Sequence, residues 1–177
     1  MTPAPQDPAW LPFNRPSIEG PELDYVLQAV QGGQLSMEGP FTTRAAEILR
    51  AAVGGVDVLL TTSCTDALEM SAMLLDLSPG DTVIVPSFTF VSTALAYVRQ
   101  GARVLFCDIE PDTLGIDPEH VAELFDDTVR AVVAVHYAGV GCDLDGLSSV
   151  LAGAPGVDLV EDNAHGLFGA YRGLSLI

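Results

Sequence analysis

Short apolar runs that alternate with helical stretches constrain the fold of this chain more than any other feature. The runs have strand length and are rich in Val, Ile, Leu and Ala. The predicted strands are 58–61, 83–85, 103–107, 131–135 and 157–160. Continuous apolar runs, unlike alternating ones, indicate strands that are buried on both faces. The repeat therefore predicts an α/β fold, with a mostly parallel sheet between two layers of helices in a three-layer α/β/α arrangement.

Helical segments are predicted on both sides of these strands. They lie at about 21–31, 40–53, 65–76, 91–100, 117–126 and 143–152, and glycine pairs end the first two. Residues 1–20 are rich in proline and polar groups and are expected to form an irregular N-terminal arm. Residues 21–177 are expected to form part of one domain, because the final Y-R-G-L-S-L-I stops without a closing element.

The charge balance excludes several classes of partner. Asp and Glu number 24 against seven basic residues, so the formal net charge is −17. A polyanion repels nucleic acid and anionic lipid, and no apolar run reaches membrane-spanning length. Cys64, Cys107 and Cys142 are scattered and form no C-x-x-C pattern, which favours a reduced, cytoplasmic setting and argues against a zinc site.

The basic residues are themselves unusual. All seven are arginines, and the chain contains no lysine. Any mechanism that needs a side-chain amine must therefore obtain it from outside these 177 residues.

Candidate binding residues follow the predicted strands, because ligands of such sheets bind at the carboxyl ends of the strands. After 58–61 comes T-T-S-C-T-D-A-L-E-M, in which Asp66-x-x-Glu69 resembles a capping box. Free amides at a helix start, together with the hydroxyls of Ser63 and Thr65, could hold an anion. The simpler alternative is an ordinary capped helix.

Aromatic side chains follow two further strands. Phe88 and Phe90 occur in P-S-F-T-F, and either could stack on a flat ring, although core packing is the simpler explanation. His136 and Tyr137 occur in V-H-Y-A-G-V. A single histidine at a strand end is more often a hydrogen-bonded structural residue than a catalyst, which we favour for His136.

The last predicted strand ends in E-D-N-A-H-G. A carboxylate at the end of a buried strand is costly unless it is paired or hydrogen-bonded, so Asp162 requires a partner. A protonated pyridine nitrogen is one such partner, and His165 could face the same site. The alternative is that Asp162 caps the next helix.

Taken in order, these segments resemble the DegT/DnrJ-type sugar aminotransferases, which depend on pyridoxal phosphate (PLP) and have fold type I. The resemblance extends from about residue 12 to 172 and includes P-F-N-R-P, S-C-T-D-A-L-E-M, P-G-D-T-V-I-V-P-S-F-T-F-V-S-T-A, D-I-E-P-D-T-L-G-I-D, V-H-Y-A-G-V and E-D-N-A-H-G. The stretches S-C-T-x-x-L-E-M and P-S-F-T-F-V-S-T-A are most similar to the dTDP-4-amino-4,6-dideoxygalactose transaminase branch.

The resemblance implies roles for individual residues. Ser63, Thr65 and Asp66 would bind the PLP phosphate, chiefly through main-chain amides, and Phe90 would stack on the pyridine ring. Asp162 would pair with the ring nitrogen, and His165 would lie against the ring hydroxyl. The lysine that binds PLP covalently would follow the end of this chain in an S-F-H-x-x-K-N-like segment.

The resemblance also implies a reaction. A nucleotide-linked 4-keto-6-deoxysugar would be aminated with glutamate as amino donor, for polysaccharide or antigen biosynthesis, by a homodimer. The chain would be an incomplete large domain that is inactive by itself.

Two other functions remain as alternatives. The chain could be a non-catalytic module that binds a sugar nucleotide in an aminotransferase-like shell. It could also be a dinucleotide-binding domain, although it has no G-x-G-x-x-G motif.

Overall fold

A computed structural model of the chain describes residues 15–36 and 39–176. Most of the predicted arm, residues 1–20, thus lies outside the described residues, and residues 15–20 contain no helix or strand. The chain divides into two compact units, of which the first ends at Glu47 and the second begins at Ile48.

The described residues contain α-helices at each position that the sequence predicts. They are α1 (Glu22–Gly32), α2 (Pro40–Ala52), α3 (Cys64–Leu74), α4 (Val91–Val98), α5 (Pro118–Leu124) and α6 (Leu144–Leu151). Helix α1 ends where the glycine pair predicts, because Gly33 adopts a left-handed conformation with φ of 72° and donates its N–H to the carbonyl of Val30. Within the first unit, Arg44 lies over the rings of Tyr25 and Phe41.

A parallel sheet forms the centre of the second unit. Its strands are β1 (Thr82–Pro86), β2 (Arg103–Cys107), β3 (Val129–Val135) and β4 (Asp158–Asp162), in the order β2-β1-β3-β4. A separate antiparallel pair follows, β5 (Ala170–Tyr171) and β6 (Leu174–Ser175).

Two apolar cores lie on opposite faces of the parallel sheet. On one face, Val83 and Val85 of β1 pack with Leu68 of α3 and Tyr97 of α4. On the other face, Ile84 packs with residues of α5 and α6, including Val121 and Leu147. Because neighbouring residues of β1 point to opposite faces and all are buried, the predicted three-layer α/β/α arrangement is confirmed.

The order of the strands in the sheet changes direction at the neighbouring strands β1 and β3, which form the topological switch point. The crossover from β1 through α4 leads to β2 at one edge, whereas the crossovers through α5 and α6 lead to β3 and then to β4 at the other edge. Since parallel crossovers are right-handed, the two directions place their helices on opposite faces. The carboxyl ends of strands at such a reversal are the usual position of ligands in open α/β sheets.

One predicted strand is wrong. Residues 58–61 pair with no strand in the described part of the chain, and Leu59 and Leu60 are exposed. A segment forms a β-strand only when it is hydrogen-bonded to a neighbouring strand, and neither edge strand of the sheet, β2 or β4, pairs with residues 58–61. An apolar run indicates a propensity for strand structure, but it does not show which strand would pair with it.

Candidate functional site

Four segments converge at the carboxyl ends of the central strands. They are the start of α3, the turn after β1, the turn after β3 and the residues that follow β4. The predicted site residues come from these segments, and Phe90 is the last residue of the turn after β1, just before α4.

Asp162 is the buried centre of this region. It is the last residue of β4, and only 5% of it is exposed. Its Oδ2 accepts a hydrogen bond from Thr93 Oγ1 at 3.0 Å. Its Oδ1 accepts from the amide of Ala164 at 3.1 Å and from Cys64 Sγ at 3.5 Å. The carboxylate is thus hydrogen-bonded, as its burial requires, and the contact with Cys64 brings it next to the start of α3.

The start of α3 is capped differently from the predicted pattern. The N-cap is Ser63, which has an extended backbone and whose side-chain Oγ accepts a hydrogen bond from the amide of Asp66 at 3.3 Å. The prediction of a capping box from Asp66 to Glu69 is wrong, because Asp66 already lies inside the helix and Glu69 forms an ion pair with Arg99. The box instead runs from Ser63 to Asp66, whose carboxylate is 3.0 Å from Ser63 Oγ.

The same turn leaves amide donors at its tip. The first backbone hydrogen bond of α3 runs from the amide of Ala67 to the carbonyl of Ser63. The amides of Cys64 and Thr65 come before this bond and therefore have no acceptor within the helix. Hydrogen bonds from Thr62 and Ser63 lower the pKa of Asp66 and hold its carboxylate against the turn. The helix start can therefore bind an anion through main-chain amides, while the Asp66 side chain is already occupied.

Three rings form a row at the carboxyl ends of the strands. Phe88, after β1, lies 4.4 Å from Tyr137 between ring centroids, and Tyr137 lies 5.3 Å from the imidazole of His165 in an edge-on arrangement. His165 Nδ1 accepts the amide of Ala138 at 3.2 Å. The row joins the turns that follow β1, β3 and β4, and it places His165 on the same side of the sheet as Asp162.

Phe90 stands apart from this row. It is the residue before α4, its backbone is extended and 68% of it is exposed. No core packing occupies its ring, which removes the simpler explanation that the sequence left open for Phe90.

His136 has the structural environment that the sequence favoured. It is fully buried directly after β3; its Nδ1 accepts the amide of Cys142 at 3.1 Å, and its Nε2 lies 2.9 Å from Glu161 Oε2. Both ring nitrogens are therefore used by the protein itself.

Sequence reasoning missed two residues of this region, Cys64 and Thr93. Both contact Asp162, from positions 98 and 69 residues away in the chain. A signal was present, since each lies in the first turn of a helix that follows a predicted strand or apolar run, where a helix start faces the carboxyl edge of the sheet.

Other features of the described residues do not compete with this site. Cavities of about 770 and 580 Å³ occur elsewhere, and none of the predicted cofactor residues lines them. Within residues 15–36 and 39–176, no three His, Cys, Asp or Glu side chains cluster as metal ligands would. In that same part of the chain, no helix is long and apolar enough to span a bilayer.

Comparison with known proteins gives consistent matches. The sequence profile of the DegT/DnrJ/EryC1/StrS aminotransferase family matches residues 16–176. The spore coat polysaccharide biosynthesis protein SpsC of Bacillus subtilis (strain 168) is 34% identical over 163 residues, which cover 92% of this chain and 41% of SpsC.

Solved structures match over nearly the whole chain. 3-Amino-5-hydroxybenzoic acid synthase is 32% identical with a TM-score of 0.84, covering 98% of this chain and 44% of the synthase. A sugar aminotransferase of Streptococcus pneumoniae, Spr1654 in its PLP form, is 26% identical with a TM-score of 0.87, covering 94% of this chain and 46% of Spr1654. The chain thus spans less than half the length of these relatives.

Proposed function

Since this chain belongs to the DegT/DnrJ/EryC1/StrS aminotransferase family, which is PLP-dependent, we propose that residues 21–177 form the PLP-binding part of the large domain of a sugar aminotransferase. The reaction of the complete protein is the amination of a nucleotide-linked 4-keto-6-deoxysugar, with glutamate as amino donor. The relative SpsC is a polysaccharide biosynthesis protein, which supports a role in making cell-surface sugars.

One observation carries this proposal: a buried carboxylate with unused acceptor capacity lies next to a helix start. A carboxylate has about four acceptor positions, and Asp162 uses three of them within the described chain, two on Oδ1 and one on Oδ2. The remaining position on Oδ2 suits a protonated ring nitrogen, and the start of α3 suits the phosphate. The donors and acceptors therefore fit PLP.

The remaining predicted residues complete the proposed site. The segment from Ser63 to Asp66 binds the phosphate through the amides of Cys64 and Thr65 and the hydroxyl of Thr65, assisted by the partial positive charge of the helix start. The Asp66 amide stays bonded to Ser63 Oγ and fixes the turn. The exposed ring of Phe90 stacks on the pyridine ring. His165, oriented by the Ala138 amide and by Tyr137, lies against the ring hydroxyl.

When bound, PLP acts as the electron sink and carrier of the amino group. The contribution of Asp162 is to hold a proton on the ring nitrogen, because an ionised carboxylate beside that nitrogen favours its charged form. The helix start fixes the phosphate, so that the ring is held at two ends.

No lysine is present in these 177 residues. We propose that additional sequence of the complete protein, a cytoplasmic homodimer, supplies the side-chain amine that would hold PLP. By itself the chain binds PLP reversibly and does not catalyse transamination.

A titration with PLP tests this proposal. We expect reversible binding, and no internal adduct after borohydride reduction and peptide mass spectrometry. Asp162→Asn weakens binding about tenfold or more, because hydrogen bonds to charged groups contribute about 1.5–3 kcal/mol. The matched control is Asp158→Asn, the same change at the exposed, opposite end of β4, which leaves the affinity unchanged.

A different result would contradict the proposal. Equal losses in both variants, or a stoichiometric adduct on an internal residue, would remove the assigned site. The DNA that follows the codon of Ile177 gives a second test, because it should encode a lysine-containing S-F-H-x-x-K-N-like segment.

The absence of lysine also favours a second function, that of a non-catalytic sugar-nucleotide-binding module. Calorimetry distinguishes the two functions. Tight binding of a dTDP-sugar to the chain without PLP would support the module, whereas the aminotransferase proposal expects PLP to be the ligand of this part.

A further inference from the structure

Hydrogen bonds from separate segments fix the Asp162 carboxylate. Thr93 on α4 donates to Oδ2, whereas Cys64 at the start of α3 and the amide of Ala164 donate to Oδ1. Rotation of the carboxylate about its last side-chain bond would break bonds on both oxygens. The plane of the carboxylate is thus set by two helices that do not belong to its own strand.

The direction of the Thr93 hydrogen bond follows from chemistry. An ionised carboxylate only accepts hydrogen bonds, so the single hydroxyl proton of Thr93 is donated to Asp162. Thr89 Oγ1 lies 2.8 Å from Thr93 Oγ1 and must then donate to it. The result is a directed chain from Thr89 through Thr93 to Asp162, which holds the buried Thr93 hydroxyl in one orientation.

These contacts lead to an inference that rests on the proposed function. We propose that Thr93 and Cys64 are positioning residues, which aim the carboxylate of Asp162 at the nitrogen of a bound pyridine ring. Thr93 contributes more to this positioning than Cys64, because its 3.0 Å hydrogen bond is to Oδ2, the oxygen that keeps an acceptor position for the ring nitrogen. Cys64 is a weaker sulfur donor at 3.5 Å and holds the other oxygen.

The effect of this positioning is specific to the ring nitrogen. A residue that only stabilises the fold affects every ligand of the site alike. A residue that aims Asp162 affects PLP, but has little effect on an analogue in which the ring nitrogen is replaced by a C–H group. The ratio of the two affinities therefore isolates the positioning role.

The first experiment measures this ratio in the chain by fluorescence titration. We expect the unchanged chain to bind PLP more tightly than the C–H analogue. Thr93→Val, which keeps the shape but loses the hydroxyl, should reduce the ratio about tenfold, and Thr93→Ser should restore it. Thr82→Val is the matched control, since Thr82 is equally buried but lies at the opposite end of the sheet.

The two proposals fail in different ways. Equal affinities in the unchanged chain would overturn the proposed role of Asp162 and the positioning role with it. A ratio that survives in Thr93→Val would overturn the positioning role alone. If Thr93→Val does not fold, Thr93→Ala and Thr93→Ser are compared, and the proposal requires that serine alone keeps the ratio.

A second experiment needs no ligand. Cys107 and Cys142 are fully buried, so iodoacetamide at mildly alkaline pH reports on Cys64. Thr93→Val frees the carboxylate to rotate away from the thiol, and we expect Cys64 to react several-fold faster, with no change in Thr82→Val. An unchanged rate in a folded Thr93→Val chain would show that Thr93 does not hold the carboxylate.

Discussion

His136 and Asp162 are buried polar residues at the ends of adjacent strands, yet their environments give them different tasks. Both nitrogens of His136 are used within the protein: Nδ1 accepts from the Cys142 amide, so the proton of the neutral ring lies on Nε2 and faces Glu161. Asp162 keeps an acceptor position. The first residue therefore stabilises the turn after β3, whereas the second is available to a ligand.

We predict that His136→Ala and Asp162→Asn separate stability from binding. His136→Ala leaves a cavity and removes partners from Cys142 and Glu161, and should lower the free energy of unfolding by about 2–4 kcal/mol. Asp162→Asn keeps the shape of the side chain. It should therefore lower the free energy of unfolding less than His136→Ala does, but it should weaken PLP binding more. Urea unfolding and PLP titration check this. Similar profiles for the two variants would contradict the assignment.

A further prediction concerns the Cys64 thiol. Partial desolvation of the thiol of the otherwise exposed Cys64, followed by the charge of Asp162 and the hydrogen bond to it, raises the pKa of Cys64 to about 11. The thiolate is the reactive form, so alkylation at pH 8 should be about a hundredfold slower than for an ordinary thiol and should continue to rise above pH 10. Asp162→Asn removes two of these causes and should move the profile to lower pH. A plateau near pH 9 in the unchanged chain would contradict the prediction.

At the level of elements, local sequence signals were sufficient for most of the fold. The helices lie within a few residues of their predicted bounds because caps, glycines and apolar spacing act locally. The strand at 58–61 was wrong because pairing is not a local property. The contacts of Cys64 and Thr93 with Asp162 escaped prediction for the same reason, since packing of α3 and α4 creates them.

Two helix caps allow a matched comparison. Asp143 caps α6 by accepting the Gly146 amide, and also accepts the hydroxyl of Tyr171. Asp117 caps α5 through the Glu119 amide. Replacement of either residue by Ala should cost about 1 kcal/mol for the lost cap.

The Asp143 variant should lose more stability than the Asp117 variant, because it also releases Tyr171. Chemical unfolding of the two variants side by side checks the order. If Asp117→Ala proves the more damaging change, the Tyr171 contact does not contribute to stability.

At the scale of the whole molecule, the dominant feature is the net charge of −17. Arginine pairs such as Arg130–Asp81 and Arg103–Asp126 neutralise only a few of the 24 acidic groups. Mutual repulsion of the remaining carboxylates opposes the compact state, and dissolved salt screens it.

We therefore predict that the chain becomes more stable with salt at neutral pH. Raising NaCl from about 10 mM to about 300 mM shortens the screening length several-fold and should raise the Tm by a few degrees. Calorimetry at both concentrations checks this, with sucrose in place of salt as a control for effects other than screening. A falling Tm would mean that the ion pairs outweigh the repulsion.

The layered architecture also has a consequence for how this sequence can change over time. The side-chain donors to Asp162 come from α3 and α4, which cover one face of the sheet, and none comes from α5 or α6 on the other face. Substitutions on the outer surfaces of α5 and α6 have no direct route to the carboxylate. Natural variants and engineered libraries should therefore tolerate far more diversity in that layer than in α3 and α4. In α3 and α4, the addition or removal of a methyl group can shift the donors that hold the Asp162 carboxylate.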